Sequence, residues 1–284
     1  MSLHALLIAP FETLAFMRGA LVACLALAVA NGTVGTLLVL RRMSLDGDVL
    51  GHAVMPGAAV GFLYAGPSPT WLSLGGLISG LSVAALAGIG GGRQARHEAG
   101  LLAFYLMALS LGVLLVAWRG SNVDVMRVLF GTVLAIDRHA LWQIAAAASV
   151  ILLAIAALYR PLAVASLDPG FLRAAGARQP YGAVFASMVV LALVANFQSF
   201  GTLLAVGPML LPAAARCWDI GVAASMALAI LFGFVASVAG LLVSYHGNVP
   251  SGPAIVLAAG ALFAASLIGT RGLRLLATRL GGRE

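Results

Sequence analysis

Apolar residues run along this chain in stretches of about 20, long enough to cross a bilayer, and polar residues gather in the short joints between them. Spans are predicted at 14–40, 48–65, 71–90, 100–118, 139–159, 181–197, 199–215, 220–244 and 252–270. Helix-sized runs with short joints predict helices rather than a barrel, because each helix satisfies its own backbone hydrogen bonds in hydrocarbon. The expected fold class is an all-α polytopic membrane protein of eight to nine spans, a single transmembrane domain over residues 1–284. The first run, Phe11 to Leu40, is too long for a signal-peptide core and lacks a basic start. It is therefore expected to stay in place as a span.

Two joints are longer than a connector needs. Ser121 to Asp137 places Val125, Val128, Leu129 and Val133 at helical spacing, which predicts a short amphipathic or re-entrant helix. Asp124 and Asp137 at its ends read as caps rather than ligands. Pro161 to Pro180 contains S-L-D-P-G-F-L-R-A-A-G-A-R. Ser166 or Asp168 suits the cap of a short helix, Pro169 its first turn and Gly176 its end. Flanked by arginines, such a helix suits a docking element; an ordinary surface loop is equally consistent with the residues.

Composition agrees with the pattern. The chain is 62% hydrophobic and 9% charged, against about 25% charged in a soluble domain. Its 34 glycines suit helices that approach closely in lipid. A net charge of +7 invites a nucleic-acid reading, but all sixteen basic residues are arginines and their placement follows topology. Twelve of them fall in the joints 41–47, 91–99, 160–180 and 216–219 and in the tail, alternating with joints that hold few. The positive-inside rule then puts the N-terminus outside and the C-terminus in the cytoplasm. No nucleic-acid partner is expected; the surrounding partner is the lipid bilayer. Cys24 and Cys217 lie in or beside apolar runs and indicate no disulfide framework. The chain lacks lysine, and with it a Walker A loop; it also lacks H-E-x-x-H and G-x-S-x-G. ATP hydrolysis by the chain itself is excluded, and no nucleophilic chemistry is indicated.

Candidate chemistry gathers in M-S-L-D-G-D-V-L-G-H-A-V-M-P-G, residues 43–57. Asp48 and His52 stand four apart, on one helical face one turn apart. An ionisable pair inside a span marks a substrate or ion path. A carboxylate oxygen and an imidazole nitrogen suit a first-row divalent ion such as Mn²⁺ or Zn²⁺, though two ligands leave its shell incomplete. The plainer alternative makes Asp46-Gly47-Asp48 a helix cap and first turn, with His52 bonded to a neighbouring helix. V-M-P-G-A-A at 54–59 echoes L-L-P-A-A-A at 210–215, a weak inverted repeat that would set Met55 and Met209 along one cavity. Both also read as core methionines. His246, in S-Y-H-G-N-V-P-S-G-P, suits an interfacial anchor or a gate.

Several blocks together resemble the permease subunits of bacterial ABC importers for manganese, zinc or iron(II). They are L-R-R-M-S-L-D-G-D-V-L-G-H-A-V-M-P-G-A-A-V-G-F, R-G-S-N-V-D-V-M-R-V-L-F-G-T-V-L-A, Y-R-P-L-A-V-A-S-L-D-P-G-F-L-R-A-A-G, G-T-L-L-A-V-G-P-M-L-L-P-A-A-A-R and S-Y-H-G-N-V-P-S-G-P-A-I-V-L. The resemblance spans nearly the whole chain. It implies a type II-like permease of the bacterial cytoplasmic membrane that pairs with a second permease copy. It also implies a cytoplasmic ABC ATPase dimer and an extracytoplasmic metal-binding protein as partners. No cofactor is implied; the metal ion is cargo. The family's metal ligands fall on Asp48 and His52, and its ATPase-coupling helix on Leu167 to Gly176, with Asp168, Pro169 and Phe171 inside it. The chain departs from the family at Asp46, where an apolar residue is usual, and at Asn248, where an aspartate is usual. Two rivals follow from the residues alone. A proton-coupled secondary carrier would use Asp48 and His52 as a relay, and a membrane enzyme would add His246.

Overall fold

The computed structural model describes residues 8–66, 68–89, 133–167, 181–210 and 221–281, with isolated positions between 103 and 114. The expected span at 100–118, the segment 121–132, the joints 91–99 and 216–219, and the stretch 168–180 therefore lie outside the described residues or almost wholly so. A short helix α1 (Ala9–Thr13) leads through extended Leu14 into α2 (Ala15–Leu40). Then follow α3 (Ser44–Ala65), α4 (Pro69–Ile89), a 3-10 turn at Val133–Ala135, α5 (Arg138–Leu167), α6 (Tyr181–Leu204), the single turn α7 (Gly207–Leu210), α8 (Val222–Gly247) and α9 (Ser251–Gly281). Five are long and apolar enough to cross a membrane: α2, α5, Tyr181–Gly201 of α6, α8 and Ser251–Thr270 of α9. The described chain is all-α and polytopic.

Several boundaries differ from the sequence pattern, each for a local reason. No joint interrupts the chain at 198, because α6 continues to Gly201, whose φ of 74° only glycine adopts freely. Helix α5 runs on through Pro161 to Leu167 across a kink at Leu158. Ser166 accordingly lies within α5, and Asp168, the other expected cap, lies outside the described residues. The Ser166 hydroxyl lies buried in the last turn of α5 and donates to the Leu162 carbonyl at 2.6 Å. Asp137 does cap: its carboxylate accepts the Ala140 amide at 2.7 Å in the first turn of α5. Helix α3 starts at Ser44, so Asp46 sits in its first turn and Asp48 already in the helix body.

Helix α2 is the centre of the bundle. Asn31 to Leu38 are buried without a break, and α5, α6 and α8 all pack on α2. Small residues permit this. A Cβ on Gly32 would lie 2.8 Å from the Ile230 backbone nitrogen of α8, and one on Gly240 within 2.6 Å of Ile255 in α9. In lipid, where hydrophobicity gives helices no reason to associate, such close approach supplies the attraction.

Polar side chains tie the bundle together. In the middle, Asn31 of α2 and Asn196 of α6 exchange amide hydrogen bonds of 2.9 and 2.8 Å, both side chains buried. At one end of α5 and α6, Gln198 donates to Gln143 at 3.0 Å and Gln143 to Thr70 at 2.9 Å, joining α6, α5 and α4. At the opposite end, Arg41 reaches from α2 to Ser166 of α5 and Phe185 of α6.

Candidate metal path

Helix α2 closes with Arg42 in the left-handed region at φ 59°. The Met43 amide donates back to Leu38 and the Arg42 amide to Val39, each at 3.1 Å. This is a Schellman-type end with arginine where glycine is usual. The chain turns within three residues and enters α3, which meets α2 only beside this turn and packs against α4 and, less extensively, α6. The orientation of α3 is therefore set by its two flanks, Arg41–Met43 and the glycine crossing with α4.

On α3, Asp48 and His52 face the same way, as their spacing requires, with Nε2 of His52 3.8 Å from Oδ1 of Asp48. That is beyond hydrogen-bond length and leaves room for an ion held by both. The Asp48 side chain is 57% exposed and that of His52 15%, so the acid looks outward from the bundle and the imidazole forms the inner wall. Among the described residues no group of three or more His, Cys, Asp or Glu could hold a metal ion. The pair thus offers one oxygen and one nitrogen donor and leaves the remaining positions to water or to groups from elsewhere.

Asp46 lies half-buried two residues before Asp48, and helical spacing turns it toward a different face. Met55, three residues beyond His52, is partly exposed on the same side as the pair. Met209 is fully buried in the apolar cluster that also holds Leu50, Ala53 and Val54 of α3. The repeat that suggested it, 210–215, falls mostly outside the described residues. His246 stands exposed in the last turn of α8, its ring 5.1 Å from that of Tyr245 in an edge-on contact. It is far along the chain from the pair and shares no described contact with it. Asn248 follows in the left-handed region at φ 48°, its amide bonded to the Ser244 carbonyl. Asparagine tolerates that conformation and ends helices there, which gives Asn248 a backbone role independent of charge. Of the expected coupling residues, Leu167 is the exposed last residue of α5. Asp168, Pro169, Phe171 and Gly176 lie outside the described residues.

One feature near the pair is not expected from the pattern of apolar runs. After Gly201, α6 gives way to two bent residues, Ala205 and Val206, before α7. A Cβ on Gly51 would lie 2.8 Å from Cγ2 of Val206, so the broken segment presses on α3 one residue from His52. The break frees the Ala205 carbonyl, and Asn196 Nδ2 donates to it at 2.9 Å. Irregular backbone is tolerated at membrane depth where protein buries it or where it lines a cavity, and broken helices beside a binding site are common in transporters. The signals are present in the sequence as two asparagines within apolar runs and a G-T-L-L-A-V-G-P stretch.

The described chain is thus a bundle of apolar, span-length helices with a break in α6 and an acid–imidazole pair beside that break. The ABC 3 transport family matches residues 13–270, and the chain belongs to it. It is a multi-pass transport subunit of the bacterial inner membrane, without catalytic chemistry of its own. The chain is 31% identical over 251 residues to the manganese import system permease protein ScaB of Streptococcus parasanguinis, covering 87% of this chain and 88% of that one. It is 30% identical over 253 residues to the manganese transport system membrane protein MntC of Halalkalibacterium halodurans, covering 88% and 85%. Among solved structures it is similar to PsaBC from Streptococcus pneumoniae in complex with Fab, with a TM-score of 0.83 and 29% identity over 92% of this chain and 94% of that one.

Proposed function

We propose that this permease imports a divalent transition metal ion, manganese first, and that Asp48 and His52 hold the ion in transit. The observation that carries the reading is the Asp48–His52 pair, 3.8 Å apart beside a helix break, in a chain alike over nearly its whole length to manganese permeases. Oxygen-plus-imidazole ligation also suits zinc and iron(II), so those ions belong to the expected range. A two-ligand site favours transport, because an ion held by few protein groups is released readily.

The rest of the assembly follows from the same reading. The half-exposed Asp48 and its open shell favour a second copy of this chain across the path. A cytoplasmic ABC ATPase dimer supplies the energy and docks on 161–180, through Leu167, Asp168, Pro169, Phe171 and Gly176. An extracytoplasmic binding protein delivers the ion. The arginine pattern supports eight to nine spans with the N-terminus outside and the C-terminus cytoplasmic. Asp46, Met55, Met209 and His246 are pathway or gate residues to test after the pair.

The decisive experiment reconstitutes permease, ATPase and binding protein in liposomes and follows uptake of radioactive manganese with ATP. Asp48→Ala and His52→Ala should each lower uptake by about tenfold or more while the complex still assembles. Normal uptake by both variants removes the pair from the path. Uptake driven by a proton gradient without ATP overturns the importer reading in favour of a secondary carrier. Competition by zinc and iron(II) sets the ion range.

A further inference from the structure

One guanidinium contacts both the end of α5 and the start of α6, the helices that precede and follow residues 168–180. Arg41 Nε donates to Ser166 Oγ at 2.9 Å, one residue before α5 ends. Its Cζ lies 4.0 Å from the centroid of Phe185, one turn into α6. Phe185 and Ser166 are both buried. Arg41 itself is the residue on which α2 ends, and α3 with Asp48 and His52 starts three residues later. Burial draws the guanidinium below its ordinary pKa, but from so high a starting value that it stays cationic. Its Nη2 is buried without an acceptor among the described residues. A half-buried cation whose buried nitrogen lacks an acceptor among the described residues costs more than packing alone requires, since an apolar side chain would fill the space at lower cost.

We infer that Arg41 is a positioning residue that transmits displacement of the ATPase-docking segment to the metal-bearing helix. Residues 168–180 join the end of α5 to the start of α6 along the chain, so movement carried by the backbone reaches the bundle at those two helix ends. Arg41 grips both and belongs to the rigid three-residue turn that aims α3. The planar guanidinium suits this role, stacking on a ring while donating in its own plane to a hydroxyl. Lysine keeps the charge and loses both the planar stack and the fixed Nε–H direction.

The role rests on the importer reading, and the test separates the two. The complete complex of permease, ATPase and binding protein is reconstituted, and manganese ions moved per ATP hydrolysed are measured for the unmodified chain, Arg41→Lys and Ser166→Ala. ATP hydrolysis should stay within about twofold while the ratio falls about tenfold for Arg41→Lys and less for Ser166→Ala, the size of a typical coupling energy. An unchanged ratio, or hydrolysis and transport falling together, makes the arginine a structural clamp only and overturns the inference. If Arg41→Lys fails to assemble, Ser166→Ala, which leaves the guanidinium in place, decides by the same ratio. An unmodified complex that hydrolyses ATP and moves no manganese refutes the importer reading instead.

Discussion

The helix that carries Asp48 and His52 comes closest to its neighbour at Gly57, five residues beyond the histidine. A Cβ there would lie 2.5 Å from Cβ of Ser79 and nearer still to the Gly75 carbonyl of α4. Carbon atoms at rest stay about 3.5–4.0 Å apart, so Gly57→Ala must push α3 and α4 apart by about 1 Å or more. Overpacking of this kind costs about 1–3 kcal/mol. The same separation strains the hydrogen bond from Ser79 Oγ to the Ala53 carbonyl, now 2.7 Å, and interhelical bonds in membranes average about 0.6 kcal/mol. A total loss of about 2–3 kcal/mol is expected by reversible unfolding in mixed micelles. Gly19→Ala is the control, because a Cβ there meets nothing within 4 Å and alanine is the better helix former by about 1 kcal/mol. Because the displaced helix carries the proposed metal pair, Gly57→Ala should also reduce the proposed manganese uptake, and Gly19→Ala should not. Equal stability of the two variants would show that α3 and α4 do not meet through this crossing.

The buried amide pair makes a second stability test: Asn196→Leu should cost about 1–3 kcal/mol by stranding Asn31 in the bundle. Replacing both asparagines with leucine should recover part of that loss in the same assay, and a double variant worse than either single one would contradict the pairing. Gly201→Ala should cost about 1–2 kcal/mol because of its positive φ. Gly201→Asn should cost as much, since φ 74° with ψ −179° lies outside the left-handed helical region that asparagine tolerates, and thermal melting in detergent that leaves either variant as stable as the unmodified chain would place the break elsewhere.

The acid–imidazole pair is legible in the residues themselves, because a spacing of four on a helix needs no tertiary information. Its surroundings are not. Met209 carries the same proline-neighbour signal as Met55, yet one is wholly buried and the other partly exposed. Ser166 has the local pattern of a cap and is instead the acceptor for an arginine 125 positions earlier. The joint expected at 198 falls at Gly201, since both sides of it are apolar and nothing in the local pattern distinguishes a continuing helix from two adjoining ones.

Sequence alone determined that this chain spans a membrane as helices, roughly where most of them lie, and that an aspartate and a histidine share one face. Those properties follow from apolar length, charge at the joints and helical periodicity, all local quantities. Only the tertiary structure decided which faces are buried, that α2 is central, that Asn31 meets Asn196, and that Arg41 fastens α5 and α6 to the turn before Asp48 and His52. The physical reason is the solvent. Lipid is as apolar as a leucine side chain, so burying one face over another leaves little trace in hydrophobicity. Glycine crossings and a few polar contacts make the choice, and their partners lie far away in the chain.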